Sequence, residues 1–514
     1  MTDTSVNNKR IAKNTLLLYV RTIFIMFISL YTSRVVLNAL GFENYGIYNV
    51  VGGVVAMFSL ISGSLSSSIS RFITFELGKG NIEKLKVIFS TSINIQVAIS
   101  VIVLLLGETI GVWFLKTHMN IPDGRLDAAT WVLHCSLIMF CVNLINIPYN
   151  ACIIAHERMT AFAYVSILES SLRLLICYLI VVSPFDRLIS YAVMLVIVSF
   201  VIRLVYGIYC SRHFKECKYQ MIYDRKQLRE MTGFAGWTFM TSCSYLFNTQ
   251  GVNILINIFF GVTLNAARGV ATQVDAAIMQ FVNNFTMAIN PQITKQYACG
   301  KTEEMFLLVC RGAKFSYFLL LIFSLPVLFE TEYILTMWLK NVPDHAVMFL
   351  RLTIIGSMIN MLGNTGYTAC MATGTVRRYV IWISSVGCLV FPLTWICFTL
   401  GMAPESTYVV FILVYVSVDS VRLHIMKGLL KFPPIMFIKE VVARILLVST
   451  VAVIIPAIII YSMPPSFIRL VISVLVCVLM ASTTIYILGL TSRERIVVSN
   501  KIAQIKNKII KRWI

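Results

Sequence analysis

Charge is scarce in this 514-residue chain: Asp, Glu, Lys and Arg make up 13% of it, about half the share of an ordinary soluble domain. Carboxylates are the rarer kind, with 23 Asp and Glu against 43 Lys and Arg. Long hydrophilic stretches are missing too. No expected outer loop exceeds about twenty residues, which leaves no room for a folded domain outside the membrane. No inner loop is long enough for a nucleotide-binding module, so any driving force must be an ion gradient, the membrane potential or the gradient of a ligand. The thirteen cysteines lie singly, most within apolar segments, and none has metal-ligand spacing; they read as reduced, packed thiols, with no metal site and no bound cofactor.

What fills the chain is apolar. Hydrophobic residues make up 58% and mean hydropathy is +0.82, which marks an integral membrane protein. Fourteen segments are long enough for a hydrocarbon core of about 30 Å. They cover approximately 14–39, 46–77, 86–115, 128–155, 160–182, 188–211, 233–260, 265–294, 305–329, 345–373, 379–400, 406–426, 437–461 and 467–490. The first is too long for a signal h-region and lacks a cleavage site, so it reads as a permanent span.

The net charge of +20 collects in alternate loops. One set holds Lys9, Arg10 and Lys13, Lys79 to Lys86, Arg158, the run from Arg212 to Arg229, Lys301, Arg377, Arg378, Lys427, Lys431, Lys439 and the tail from Arg493. The other set is poor in Lys and Arg. The positive-inside rule then puts both termini in the cytoplasm, and no nucleic acid is needed to explain the charge.

An internal repeat organises the spans. Leu37-Asn-Ala-Leu-Gly41 to Gly46, closed by Gly78-Lys-Gly80-Asn-Ile-Glu83, returns as Ile258-Phe-Phe-Gly261-Val-Thr-Leu-Asn265, closed by Gly300-Lys-Thr-Glu303. Gly41, Gly80 and Glu83 keep one offset of 220 residues to Gly261, Gly300 and Glu303. Tyr149-Asn-Ala-Cys-Ile-Ile-Ala155 returns as Tyr367-Thr-Ala-Cys-Met-Ala-Thr373, with Asn146 answering Asn364. Two membrane halves of like design suggest a transporter. The expected organisation is an N-terminal lobe over 1–213 (six spans), a cytoplasmic amphipathic linker over 214–232, a C-terminal lobe over 233–430 (six spans), and 431–514 with two added spans and a basic tail.

Charges inside spans are costly and so point to function. Arg21 and Arg34 lie in the first span, Arg71 and Glu76 in the second, Arg268 and Asp275 in the eighth, Arg311 and Lys314 in the ninth. Cations outnumber carboxylates at this depth, which indicates an anionic ligand, and guanidinium forks suit phosphate oxygens. The alternative is snorkelling to lipid headgroups. Glu169 and Arg173 (i, i+4) and Asp419 and Arg422 (i, i+3) suit intrahelical pairing, with Asp419 or Asp275 alternatively a proton or sodium site. Amide stripes run through Asn143, Asn146 and Asn150, through Gln250, Asn253 and Asn257, and through Asn360, Asn364 and Tyr367. Such stripes can line a hydrated cavity for a hydroxyl-rich sugar; otherwise they bond helix to helix. Ser59, Ser62, Ser66 and Ser70 read as a close-packing face.

Several motifs together resemble a known family. They are Asn14-Thr-Leu-Leu-Leu-Tyr-Val-Arg21, Leu30-Tyr-Thr-Ser-Arg34-Val-Val-Leu-Asn38-Ala-Leu-Gly41, Tyr45-Gly-Ile-Tyr48-Asn, Ser70-Arg71-Phe, Asn265-Ala-Ala-Arg268-Gly and Ala288-Ile-Asn-Pro291-Gln-Ile-Thr-Lys295. The chain resembles a Wzx-type polysaccharide flippase of the multidrug/oligosaccharidyl-lipid/polysaccharide (MOP) exporter superfamily over essentially its whole length. The resemblance implies an all-α membrane protein with two six-helix lobes around a central cavity, in the bacterial inner membrane. It implies translocation of an undecaprenyl-pyrophosphate-linked oligosaccharide for surface polysaccharide such as O-antigen or lipopolysaccharide, with membrane lipids and polymerase machinery as the other partners. It carries pyrophosphate contact to Arg21 first and Arg268 second, then to Arg34, Arg71, Arg311 and Lys314. A MATE-like multidrug cation exporter should instead carry carboxylates in its cavity. A glycan polymerase or ligase would need an outer-face catalytic cluster, which the outer loops lack.

Overall fold

The computed structural model describes residues 2–499 apart from 57, 119–123, 223, 261, 340, 341, 493, 497 and 498. Among them there is helix and no strand. The helices are α1 (Thr2–Ala56), α2 (Ser59–Lys79), α3 (Ile82–Leu106), α4 (Val112–His118), α5 (Leu126–Ala155), α6 (Met159–Val182), α7 (Arg187–His213), α8 (Arg225–Phe260), α9 (Val262–Ala298) and α10 (Thr302–Phe329). They continue as α11 (Thr331–Leu339), α12 (Ala346–Met361), α13 (Asn364–Ala372), α14 (Arg377–Gly387), α15 (Val390–Thr399), α16 (Ser406–Leu430), α17 (Pro434–Phe437), α18 (Ala443–Ser462) and α19 (Phe467–Thr484).

Ten stretches among the described residues are long and apolar enough to cross a membrane. The other four expected spans coincide with α1, α2, α8 and α9, which are helical but dilute their apolar residues with serines, amides and charges. Two boundaries differ from the sequence reading: α8 starts at Arg225, inside the expected linker, and the break between the first two expected spans is absent. The chain runs helical through residues 39–46, because no proline interrupts it there, and α1 ends at Ala56.

The repeat reappears as identical capping. Gly80 ends α2 at φ 74° and Gly300 follows α9 at φ 72°, the left-handed conformation that glycine adopts without a Cβ penalty. In the first copy Gly80 N–H donates to the Leu77 carbonyl and Asn81 N–H to that of Glu76. In the second, Gly300 donates to Tyr297 and Lys301 to Gln296. Both are Schellman closures. The next helix starts at Ile82 and at Thr302, again 220 residues apart. Asn81 accepts from Lys84 N–H at 3.1 Å to cap the first of these.

Burial follows membrane logic. On α19 the inward face is Leu470, Ser473, Cys477, Ala481 and Thr484, while Ile468, Val471, Leu475 and Leu479 are exposed. Small residues let α18 and α19 approach, and the exposed apolar side faces lipid. On α2 the close-packed serines are Ser64 and Ser68, whose contacts are with α8: Ser68 donates to the Met231 carbonyl at 3.0 Å. Ser66, from the expected stripe, is exposed.

Contacts divide the chain into two units. The first holds Met1–Ser244, Met287–Met305 and Met371–Val380; the second holds Tyr245–Thr286, Phe306–Cys370 and Ile381–Ile514. In the first, α5 packs on α7, α2 and α3, and α1 packs on α6. In the second, α16 packs on α12 and α15. Each unit carries a buried carboxylate that ties distant segments together. In the first it is Glu157, in the turn after α5, with a side chain 1% exposed. It accepts from Lys295 at 2.7 Å and Gln292 at 2.6 Å, and its backbone carbonyl takes Asn14 at 3.3 Å. In the second it is Glu330, which receives Arg469 at 2.8 Å and Ser473 at 2.7 Å.

Removing one partner of a buried pair strands the other. Glu157→Ala should lower unfolding free energy by roughly 3 kcal/mol, read from denaturant unfolding of the purified protein in detergent, and Lys295→Ala in that background should add little. Independent, additive losses would mean that the two do not act as a pair.

Candidate functional site

The first unit contains a polar cavity of about 450 Å³ lined by α1, α6 and α7. Arg21 enters it from α1, with hydroxyls of Ser29, Thr32 and Tyr48. α6 contributes a stripe at i, i+3, i+4, i+7: Ser166, Glu169, Ser170 and Arg173. The Glu169–Arg173 pair forms within the helix at 2.7 Å, as its spacing predicts. Arg21 stacks over the Phe162 ring at 4.6 Å, its Nε is buried without a hydrogen-bond partner, and among the described residues it forms no ion pair. Two guanidiniums and one carboxylate leave the cavity net cationic, and six hydroxyls, the sixth from Tyr191 of α7, surround them. This is chemistry for a phosphate anion attached to a polyol. Sequence reasoning set Glu169 and Arg173 aside as self-satisfied. The signal that could have joined them to Arg21 was the unbroken polar stripe from Ser166 to Arg173.

The second unit contains a smaller cavity of about 120 Å³ that Arg268 and Asp275 of α9 both line. Arg268 donates to the Thr249 carbonyl at 3.3 Å and lies 6.0 Å from the Tyr408 ring. Asp275 accepts from Ser357 at 2.8 Å through one oxygen, and the other is buried without a partner.

The two cavities are built on the same frame. Ile25, Ile28, Ser29, Thr32 and Tyr48 line the first, and at the 220-residue offset they become Tyr245, Asn248, Thr249, Val252 and Arg268, all lining the second. The repeat thus reaches the polar sites, with a tyrosine in one answering an arginine in the other.

The remaining predicted residues lie elsewhere. Arg71 stacks on Phe72 at 4.5 Å and Phe75 at 4.8 Å and donates to the Ala372 carbonyl at 3.0 Å, capping the C-terminus of α13. Arg311 and Lys314 meet Glu494, at 3.4 and 2.7 Å. Burial alone would raise the Glu494 carboxyl, but the bonds from Lys314 and Thr491 hold it below the usual carboxylate range. Asp419 is bound by Arg422 of its own helix. Asn146 is buried with its carbonyl oxygen unpartnered among the described residues, Asn253 donates to Gln250 at 3.1 Å, and Asn364 donates to the Met361 sulfur at 3.5 Å. The side chain of Arg34 lies outside the described residues.

Comparison with known proteins agrees with this architecture. A MATE transporter in a bent conformation is similar over 83% of this chain and 96% of its own, with TM-score 0.72 and 11% identity. The MATE transporter ClbM, solved with Rb+, gives TM-score 0.69 at 14% identity over 83% and 96%. A MOP superfamily transporter from Pyrococcus furiosus, described as having a binding pocket of reverse polarity, gives 0.67 at 12% over 83% and 96%. At such identities the likeness is one of fold. By sequence, the uncharacterized membrane protein EpsK of Bacillus subtilis is 20% identical over 285 residues, 54% of this chain and 55% of EpsK, so the match spans about half of each protein. Residues 11–296 match the family described as polysaccharide biosynthesis protein. With more than half its length matched, and with the MATE-type fold, the chain belongs to the polysaccharide biosynthesis protein family.

Proposed function

We propose that the protein is a flippase that moves an undecaprenyl-pyrophosphate-linked oligosaccharide across the bacterial inner membrane by alternating access, supplying surface polysaccharide such as O-antigen. The observation that carries this reading is the Arg21 cavity: an arginine that makes no ion pair among the described residues, beside a second guanidinium and a ring of hydroxyls. The pyrophosphate pairs with Arg21, the first sugars bond the hydroxyls, and the prenyl chain stays in lipid. Both termini are cytoplasmic, as the loop charges require, and the released glycan passes to polymerase machinery outside. An inside-negative potential favours outward movement of the anionic headgroup by about 2.3 kcal/mol per charge per 100 mV.

Asp275 supports a coupling role. A carboxylate with one oxygen engaged by Ser357 and the other unpartnered can accept sodium or a proton, and that exchange resets the empty, arginine-bearing cavity. The same feature would suit a multidrug cation exporter, but Arg268 shares its cavity, which disfavours an organic cation there.

The test is transfer of a labelled undecaprenyl-pyrophosphate glycan across proteoliposomes. Arg21→Ala should reduce transfer at least about tenfold, the worth of one charge-assisted bond, while leaving the protein monodisperse. Wild-type rates in the mutant, or export of organic cations with no glycan transfer, would overturn the reading. Asp275→Asn should retain glycan binding yet abolish the dependence of transfer on a sodium or pH gradient; an unaltered gradient dependence would remove Asp275 from the coupling.

A further inference from the structure

The second unit holds another polar cavity, of about 500 Å³, between the N-terminal half of α10, the α17–α18 segment and the start of the C-terminal tail. Arg311, Lys314 and Arg444 line it with Glu440 and Glu494, so cations exceed carboxylates by one. Its internal bonds are uneven. Lys314, 2% exposed, holds one Glu494 oxygen at 2.7 Å. Arg311 approaches the other through Nε at 3.4 Å, longer than a charge-assisted hydrogen bond normally is. Arg444 is taken by Glu440 of its own segment at 3.2 Å.

The carboxylate in this cavity comes from an unusual place. After Glu440 the sequence contains a single acidic residue, Glu494, set among Arg493, Arg495, Lys501, Lys506, Lys508, Lys511 and Arg512. A tail this basic is attracted to an anionic membrane surface, by roughly 1 kcal/mol for each Lys or Arg near it. The one side chain that runs against that attraction is the one seated on Lys314. The border of the cavity is apolar: Leu307 lines it and is 43% exposed, and Ile435 and Ile438, exposed on either side of the lining residue Met436, extend the surface. A cationic pocket with an apolar lip fits an amphiphile whose head is an anion.

We propose that Arg311 and Lys314 form a binding site for the phosphate group of an anionic phospholipid, and that Glu494 occupies this site as an internal substitute. The lipid phosphate takes the Arg311 guanidinium and the Lys314 ammonium, its glycerol and first acyl carbons lie along Leu307, and Glu494 is displaced from Lys314. The site is separate from the Arg21 cavity and does not depend on what that cavity carries.

The experiment is equilibrium binding of dioctanoyl phosphatidylglycerol to the full-length protein in neutral detergent, which reads no glycan transfer. Arg311→Gln is the primary variant, since Arg311 is partly exposed and Lys314 keeps Glu494 paired without it. It should weaken binding at least about tenfold, as expected for one charge-assisted fork. Glu494→Gln removes the competitor and should tighten binding by a similar factor. Dioctanoyl phosphatidylcholine should fail to compete. Inorganic phosphate that competes with the same dependence on Arg311 and Glu494 supports the anion site and assigns it to free phosphate rather than to a lipid head. Equal affinity in wild type and Arg311→Gln, or equal competition by phosphatidylcholine, would overturn the proposal.

Discussion

A charge buried away from water must be compensated, and most of this structure can be read as the way the chain meets that demand. Glu157 answers Lys295 and Gln292, Glu330 answers Arg469 and Ser473, and Glu494 answers Lys314. Arg71 spreads its charge over three rings and a helix-end carbonyl. None of these partnerships is local. They join positions 138, 139, 180 and 301 residues apart, so each one fixes which helices meet and in what register. Lipid supplies no hydrophobic preference between one helix contact and another, and buried pairs of this kind supply part of the specificity that apolar packing cannot.

Against that pattern the exceptions carry meaning. Arg21 has an aromatic ring and a hydroxyl-lined space where the other buried charges have a partner. Asp275 has one satisfied oxygen and one bare one. Both lie in cavities that the repeat makes equivalent, and divergence within that frame has given them opposite chemistry. The first is roomy and net cationic. The second is small, with one arginine and one carboxylate. The same frame thus carries two sites that differ in size and charge.

Much of this was legible in the chain. Length and hydropathy gave the helices, the 220-residue offset gave the repeat, and Gly80 and Gly300 marked its caps. What stayed hidden were partners. Insertion cost can flag Arg71, Arg311 and Lys314 as charges needing an explanation, but it cannot separate a ligand from a carbonyl 301 residues away or a carboxylate in the tail. Nothing in the spacing around Glu330 announces that Arg469, 139 residues on, holds it fully buried. Intrahelical pairs were the opposite case: Asp419 with Arg422 and Glu169 with Arg173 follow from spacing alone. The break expected near residue 40 failed for a related reason, since Gly41 and Gly46 lower helix propensity without removing a hydrogen-bond donor, and only proline does that.

The composition of the Arg21 cavity also bears on turnover. A carrier gains nothing from a site that holds its cargo too well, because binding must be favourable enough to load and weak enough to release. If the cargo is the pyrophosphate proposed above, two free guanidiniums facing it in a poorly screened cavity would err towards retention. Glu169 changes that balance. By holding Arg173 at 2.7 Å it lowers the net charge facing a ligand, and among the described residues Arg21 is the lining cation without an ion pair. The hydroxyls then contribute many weak bonds in place of one strong one, and these can be exchanged for water singly as the site opens. The carboxylate in an otherwise cationic cavity is therefore consistent with an anion carrier, and it favours transit over storage.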